Sequence, residues 1–134
     1  MLVQAYLDFE GRCEEALAFY RQALGAEVTM LMRWKDSPDP AMSQSAHPDK
    51  IMHASFKVGD ATVLASDGRG RGEPKFEGFM LSLTVANEGD AKRVFGALAD
   101  GGKVQMPLGK TFFSPCFGMI ADRFGVAWIV YVEA

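Results

Sequence analysis

Apolar residues recur along this chain with two periods. In Leu2–Phe9 they alternate, with Ala5, Leu7 and Phe9 on one face and Gln4, Tyr6 and Asp8 on the other. That is the pattern of a half-buried strand. Ala16, Phe19, Ala23 and Leu24 follow helical spacing and predict a helix over Arg12–Leu24 with that face in the core. Alternation returns in Ala26–Lys35, where Val28, Met30 and Met32 alternate with Thr29 and Leu31. Ile51–Val58 and Ala61–Ser66 read as strands joined by a Gly59-Asp60 turn. His53, Ser55 and Lys57 share one face of the first arm.

The second half follows the same grammar. Met80, Ser82 and Thr84 alternate with Leu81, Leu83 and Val85, predicting another strand. Asn87 is a suitable helix N-cap, with Asp90 in the first turn, where the positive helix end favours an acid. The helix that follows buries Ala91, Val94, Phe95 and Leu98. A strand over Lys103–Met106, a loop GKTFFSP (Gly109–Pro115) with two exposed aromatics, and a hairpin of Cys116–Ala121 and Ala127–Val132 complete the chain.

The two halves form an internal repeat. EEALAFYRQALGAEV begins at Glu14 and DAKRVFGALADGGKV at Asp90, 76 residues on (90 − 14). At that offset Phe19 meets Phe95, Gly25 meets Gly101, and Val28 meets Val104. Upstream, Gln4 falls on Met80 and Leu7 on Leu83. Each helix stops at glycine, which takes the left-handed conformation without a Cβ penalty. One domain, 1–134, is expected, with units of about 1–67 and 78–134.

Two stretches lie outside the pattern. Asp36–Lys50 holds three prolines and reads as a loop; loops this long are often functional or mobile. Its His47 precedes a proline and is expected to be exposed. Asp67–Lys75, DGRGRGEPK, lacks the GxxxxGK[ST] spacing of a phosphate loop and reads as a linker. The alternative is that Arg69 or Arg71 contacts an anionic ligand.

Composition narrows the function classes. The chain has 134 residues, 49% of them hydrophobic, which suits one ordinary domain with a real core. Net charge is −3 with acids and bases interspersed, which disfavours nucleic-acid binding. No apolar run is long enough for a membrane span. The start, MLVQAYLDFEG, lacks the features of a signal peptide, so a cytoplasmic protein is expected. Cys13 and Cys116 have no CxxC spacing and are expected to be free thiols.

Two βαβββ units, a helix ending FYRQALG and a final DRFGVAW hairpin resemble the vicinal oxygen chelate superfamily, the glyoxalase, bleomycin-resistance and extradiol-dioxygenase group. YLDFEGRCEEALAFY, the LASDG strand end and the DRFGVAW turn look most like its PhnB-like branch, some of whose members carry the label 3-demethylubiquinone 3-methyltransferase. The resemblance implies an α+β fold, with two βαβββ repeats forming curved mixed sheets around a cup, and a homodimer. Metal-dependent members place His, Gln or Glu ligands on the first and last strands of each unit. Here those positions fall on Gln4, Met80 and Ile129, with the fourth near Leu64–Ser66. Met80 and Ile129 do not suit a hard oxygen-ligated cation, so neither a metal nor any other cofactor is expected.

Two readings follow. In the first, the cup binds a small organic molecule without metal, lined by Gln4, Tyr6, His53, Met80, Ser82, Phe113, Ile129 and Tyr131. In the second, the protein is a lyase-like or dioxygenase-like enzyme using His53 as base, or a metal at a shifted register. Methyltransferase activity is not expected, because no nucleotide-binding βαβ unit with a Gly-rich first turn is present.

Overall fold

The computed structural model describes residues 1–43, 47–70 and 73–134. Arg71, one of the two arginines of the Gly-rich stretch, lies outside the described residues. The chain divides into two compact units, Met1–Pro74 and Lys75–Ala134.

The first unit runs β1 (Tyr6–Asp8), α1 (Cys13–Leu24), β2 (Glu27–Arg33), a 3-10 turn at Trp34–Asp36, α2 (Pro40–Ser43), β3 (Ile51–Val58) and β4 (Ala61–Ser66). The sheet order is β1-β4-β3-β2, with β1 parallel to β4 and the other pairs antiparallel. α1 covers one face. The Tyr20 ring stacks on Phe56 at 5.6 Å and tilts against Phe9 at 6.1 Å, and all three are fully buried. Leu7, Ile51 and Ala54 complete this core. Gly25, at φ 67°, ends α1 and returns its N–H to the Arg21 carbonyl.

Two expectations are corrected here. The buried face of α1 is Cys13, Ala16, Leu17, Tyr20 and Ala23, whereas Phe19 and Leu24 are half-buried. Alanine-rich helices offer two overlapping apolar stripes, and the bulkier Tyr20 fills the space over Phe56. β1 is also shorter than Leu2–Phe9: only Tyr6–Asp8 pair with β4, while Leu2 and Val3 are exposed.

Asp67 is no linker residue. It is 2% exposed, and its carboxylate accepts the Cys13 N–H at 2.7 Å and the Ile51 N–H at 2.6 Å. It therefore satisfies an orphan donor at the start of α1, which has no side-chain cap at Arg12, and pins β3 to the same point.

The second unit runs β5 (Leu81–Val85), α3 (Glu88–Ala99), β6 (Lys103–Gly109), β7 (Cys116–Ala121) and β8 (Ala127–Val132). Its order, β5-β8-β7-β6 with β5 parallel to β8, repeats that of the first unit. Two βαβββ repeats are thus present. Asn87 caps α3 by accepting the Asp90 N–H at 2.8 Å. Ala91, Val94, Phe95 and Leu98 are buried as the pattern predicts. Gly118 makes room for them: a Cβ there would fall 2.8 Å from the Phe95 ring. β6 continues to Gly109, beyond the expected Met106.

The repeat carries a one-residue shift. α1 and α3 each have 12 residues and begin 75 apart (88 − 13). Ala16, Tyr20 and Ala23 therefore correspond to Ala91, Phe95 and Leu98, all buried. The glycine stops stay 76 apart because Asp100 separates α3 from Gly101. Phe19 is not the counterpart of Phe95.

Candidate functional site

In the first unit the contacts of Tyr20 with Phe56 and Phe9 fix which sheet face α1 covers. His53, Ser55 and Lys57, alternating with Ala54 and Phe56 on β3, point to the other face. Tyr6 pairs with Leu64 on β4, which in turn pairs with Ser55, so Tyr6 reaches the same face. The Tyr6 hydroxyl lies 3.0 Å from His53 Nδ1, with ring centroids 5.6 Å apart. Tyr6 remains 52% exposed and His53 half-buried, so the pair is open to a ligand. Beside it, the Thr29 and Ser55 hydroxyls share a 2.8 Å hydrogen bond, and Met32 lies opposite His53 on β2. Gln4 precedes β1 and is exposed, outside the paired strand.

The tautomer of His53 decides what this face can do. If the Tyr6 O–H donates to Nδ1, Nε2 carries the proton and donates outward. If Nδ1–H donates to the phenolic oxygen, Nε2 is a free acceptor and a proton can be taken there. Next to the pair, Asp8 accepts the Glu10 N–H at 2.9 Å. Burial pushes the Asp8 carboxyl above its ordinary value, opposed by that backbone hydrogen bond.

In the second unit Gly118 lies under Phe95, so Phe117 and Met119 face away from α3. Val130 pairs with Gly118 and is buried, which leaves Ile129 and Tyr131 with Phe117. Ser82 pairs with Ile129, and Thr84 with Tyr131. Phe117 stands 5.0 Å from Phe113 and 6.3 Å from Tyr131. Ser82, Ile129, Tyr131 and Phe113 are thus gathered on one face, while Met80 stands just before β5. Phe117 was absent from the sequence reading, yet its alternation with Gly118 in CFGMIA places it there.

The positions that the resemblance matches to metal ligands do not fit a divalent ion. Met80 and Ile129 offer no nitrogen or oxygen side-chain donor, Leu64–Ser66 holds no His or Glu, and Gln4 offers one neutral amide on an exposed segment. Among the described residues no group of three or more His, Cys, Asp or Glu side chains converges. Both cysteines are free and buried, and burial pushes the Cys13 thiol far up, which argues against a nucleophile there.

The family model for 3-demethylubiquinone-9 3-methyltransferase matches residues 2–131. The chain belongs to this family. It is 32% identical to Protein YjdN of Escherichia coli (strain K12), over 98% of this chain and 95% of that one. Its fold matches the crystal structure of protein PA1353 from Pseudomonas aeruginosa, with a TM-score of 0.87, 43% identity and coverage of 99% and 98%. A putative 3-demethylubiquinone-9 3-methyltransferase, PhnB protein, from Bacillus cereus matches at 0.82 with 28% identity, covering 99% and 100%. A glyoxylase/bleomycin resistance protein/dioxygenase domain from Frankia sp. EAN1pec shares the fold at 0.63 and 16% identity, covering 100% and 98%. The PhnB-like family and the glyoxalase/bleomycin resistance fold therefore both stand. Among the described residues no helix is long and apolar enough to cross a membrane.

Proposed function

We infer that this protein binds a small organic molecule without metal, using the first-unit face that carries Tyr6 and His53. The observation that carries this is the 3.0 Å hydrogen bond between the two side chains on a sheet face that α1 leaves uncovered. A preset polar pair beside Met32, Leu64 and the Thr29–Ser55 hydroxyls suits a ligand that is mostly apolar with one or two polar groups. The second-unit face with Phe113, Phe117, Ile129 and Tyr131 offers aromatic contact of the same kind. A thermal-shift screen tests the reading, because a ligand bound only to the native state raises the melting temperature. Hits should stabilise the native protein but not Tyr6→Phe/His53→Ala. Hits that stabilise both equally would place the ligand elsewhere.

The same hydrogen bond favours a second reading, in which His53 is a general base. Tyr6 then holds the ring with Nε2 unprotonated. Turnover of a bound hit, lost in His53→Ala and retained in Tyr6→Phe with an altered pH profile, separates enzyme from binder. Methyl transfer is outside both readings: the β1–α1 turn holds Glu10 and Gly11 where a nucleotide site needs a Gly-rich run.

A homodimer belongs to this account. Edge strands β2 and β6 expose Met30, Leu31, Val104 and Met106, apolar edges of the kind a second copy covers. Light scattering should report twice the chain mass at micromolar concentration; a monomer would reject the dimer.

A further inference from the structure

We propose that the first unit holds a second binding site, for an aromatic oxyanion, in the cavity lined by Trp34, His47, Lys50 and the Asp67–Gly70 turn. The cavity measures about 330 Å³, within the range of small-molecule sites and suited to a single-ring compound. It is distinct from the Tyr6–His53 face in its lining residues.

Its walls are tied in place. The Trp34 N–H donates to the Lys50 carbonyl at 3.0 Å and the Lys35 N–H to the Pro48 carbonyl at 3.0 Å. The Asp67 N–H donates to the Ile51 carbonyl and the Gly70 N–H to the Asp67 carbonyl, both at 2.9 Å. Asp67 turns one carboxylate oxygen to the Cys13 amide and the other to the Ile51 amide, so both oxygens are held by backbone donors.

The permanent cations of the lining are Lys50 and Arg69, set against the buried Asp67 carboxylate and the Asp8 carboxylate beside Gly68. Lys50 Nζ donates to the neutral Gly11 carbonyl at 2.9 Å, and an ammonium has two further N–H donors. Arg69 is exposed and forms no ion pair among the described residues. Glu14, the acid on α1 whose ionisation Lys50 favours, is clamped by both Arg33 nitrogens at 2.6 and 3.1 Å. An arginine fork and an ammonium are the usual recognition pair for carboxylate or phosphate oxygens. The half-buried Trp34 indole supplies a flat apolar wall, which selects an anion carried on a ring.

The chain has two tryptophans, and the other, Trp128, is buried with its N–H on Asp122. Trp34 fluorescence therefore reports this cavity. Benzoate and phenyl phosphate should quench it saturably, and the quenching should vanish in Trp34→Phe. Benzyl alcohol and inorganic phosphate should each bind about tenfold more weakly, the loss expected for one charge-assisted contact or one stacking contact. Arg69→Glu, an exposed change whose fold is checked by its melting temperature, should weaken both aromatic anions at least as much. Phenyl phosphate preferred over benzoate points to phosphate esters as the natural class, and the reverse to carboxylates. No saturable response below about 10 mM, equal binding of benzyl alcohol, or unchanged binding by Arg69→Glu would overturn the proposal.

Discussion

Tyr20 of α1 and Phe95 of α3 hold the same position in their helices, the eighth residue of twelve, and both rings are buried against their own sheet. Truncating either ring should cost about 3–5 kcal/mol, the usual penalty for losing a buried aromatic. Phe19→Ala, at a half-buried position, should cost clearly less. Denaturant titration of the three variants checks the order; Phe19→Ala as costly as Tyr20→Ala would restore the 76-residue correspondence.

Much of the fold was legible because its signals are local. The β3–β4 and β7–β8 hairpins, the Asn87 cap and the buried face of α3 follow from alternation, turn residues and capping chemistry over a few positions. The shift between α1 and α3 was not legible, since EEALAFYRQAL carries two apolar stripes and only the sheet beneath decides between them. The anchoring roles of Asp67, at the start of the stretch that reads as a linker, and of Asp122, in the β7–β8 turn, were not legible because an acid in a turn or linker usually faces solvent. Their partners, Cys13 and Ile51 for one, Trp128 Nε1 and the Phe124 and Val126 amides for the other, are set by the fold. The Tyr6–His53 contact joins residues 47 apart, which no local pattern reports.

Those two buried carboxylates should be structural. Asp67→Asn keeps one acceptor but turns an amide donor toward the second backbone N–H. The expected loss is roughly 2–3 kcal/mol, the cost of an unsatisfied buried group that had a charge-assisted bond. Asp122→Asn should be comparably destabilising. Urea denaturation measures both; near-neutral substitutions would remove Asp67 as the anchor of α1 and β3.

Glu14 gives the acid limb of stability a named contributor. The Arg33 hydrogen bonds hold its carboxyl below the ordinary value of 4.5. A depressed folded value means that its contribution is present above about pH 4.5 and is lost as pH falls through the folded value. The pair is largely exposed, so the effect should be under about 1 kcal/mol. Glu14→Gln should flatten that part of the stability–pH curve. An unchanged acid limb would show that the clamp contributes nothing in solution.

Purified protein should hold no stoichiometric divalent metal, since Met80 and Ile129 stand at positions that the resemblance matches to metal donors. Chelator should leave the melting temperature unchanged. About one ion per chain, removed by chelator with loss of stability, would return the metal-dependent enzyme reading to first place.

The chain has two histidines, His53 beside Tyr6 and His47 at the separate cavity, so its imidazole spectrum reads both sites at once. The most direct test of the central claim is a nitrogen-15 NMR titration of the native protein with a stabilising hit, His47→Asn supplying the assignment. Saturable movement of the His53 ring nitrogens, with Nδ1 and Nε2 responding unequally, is the expected result. A hit that stabilises the protein while both His53 nitrogens stay unmoved would contradict the assignment of this face as the ligand site.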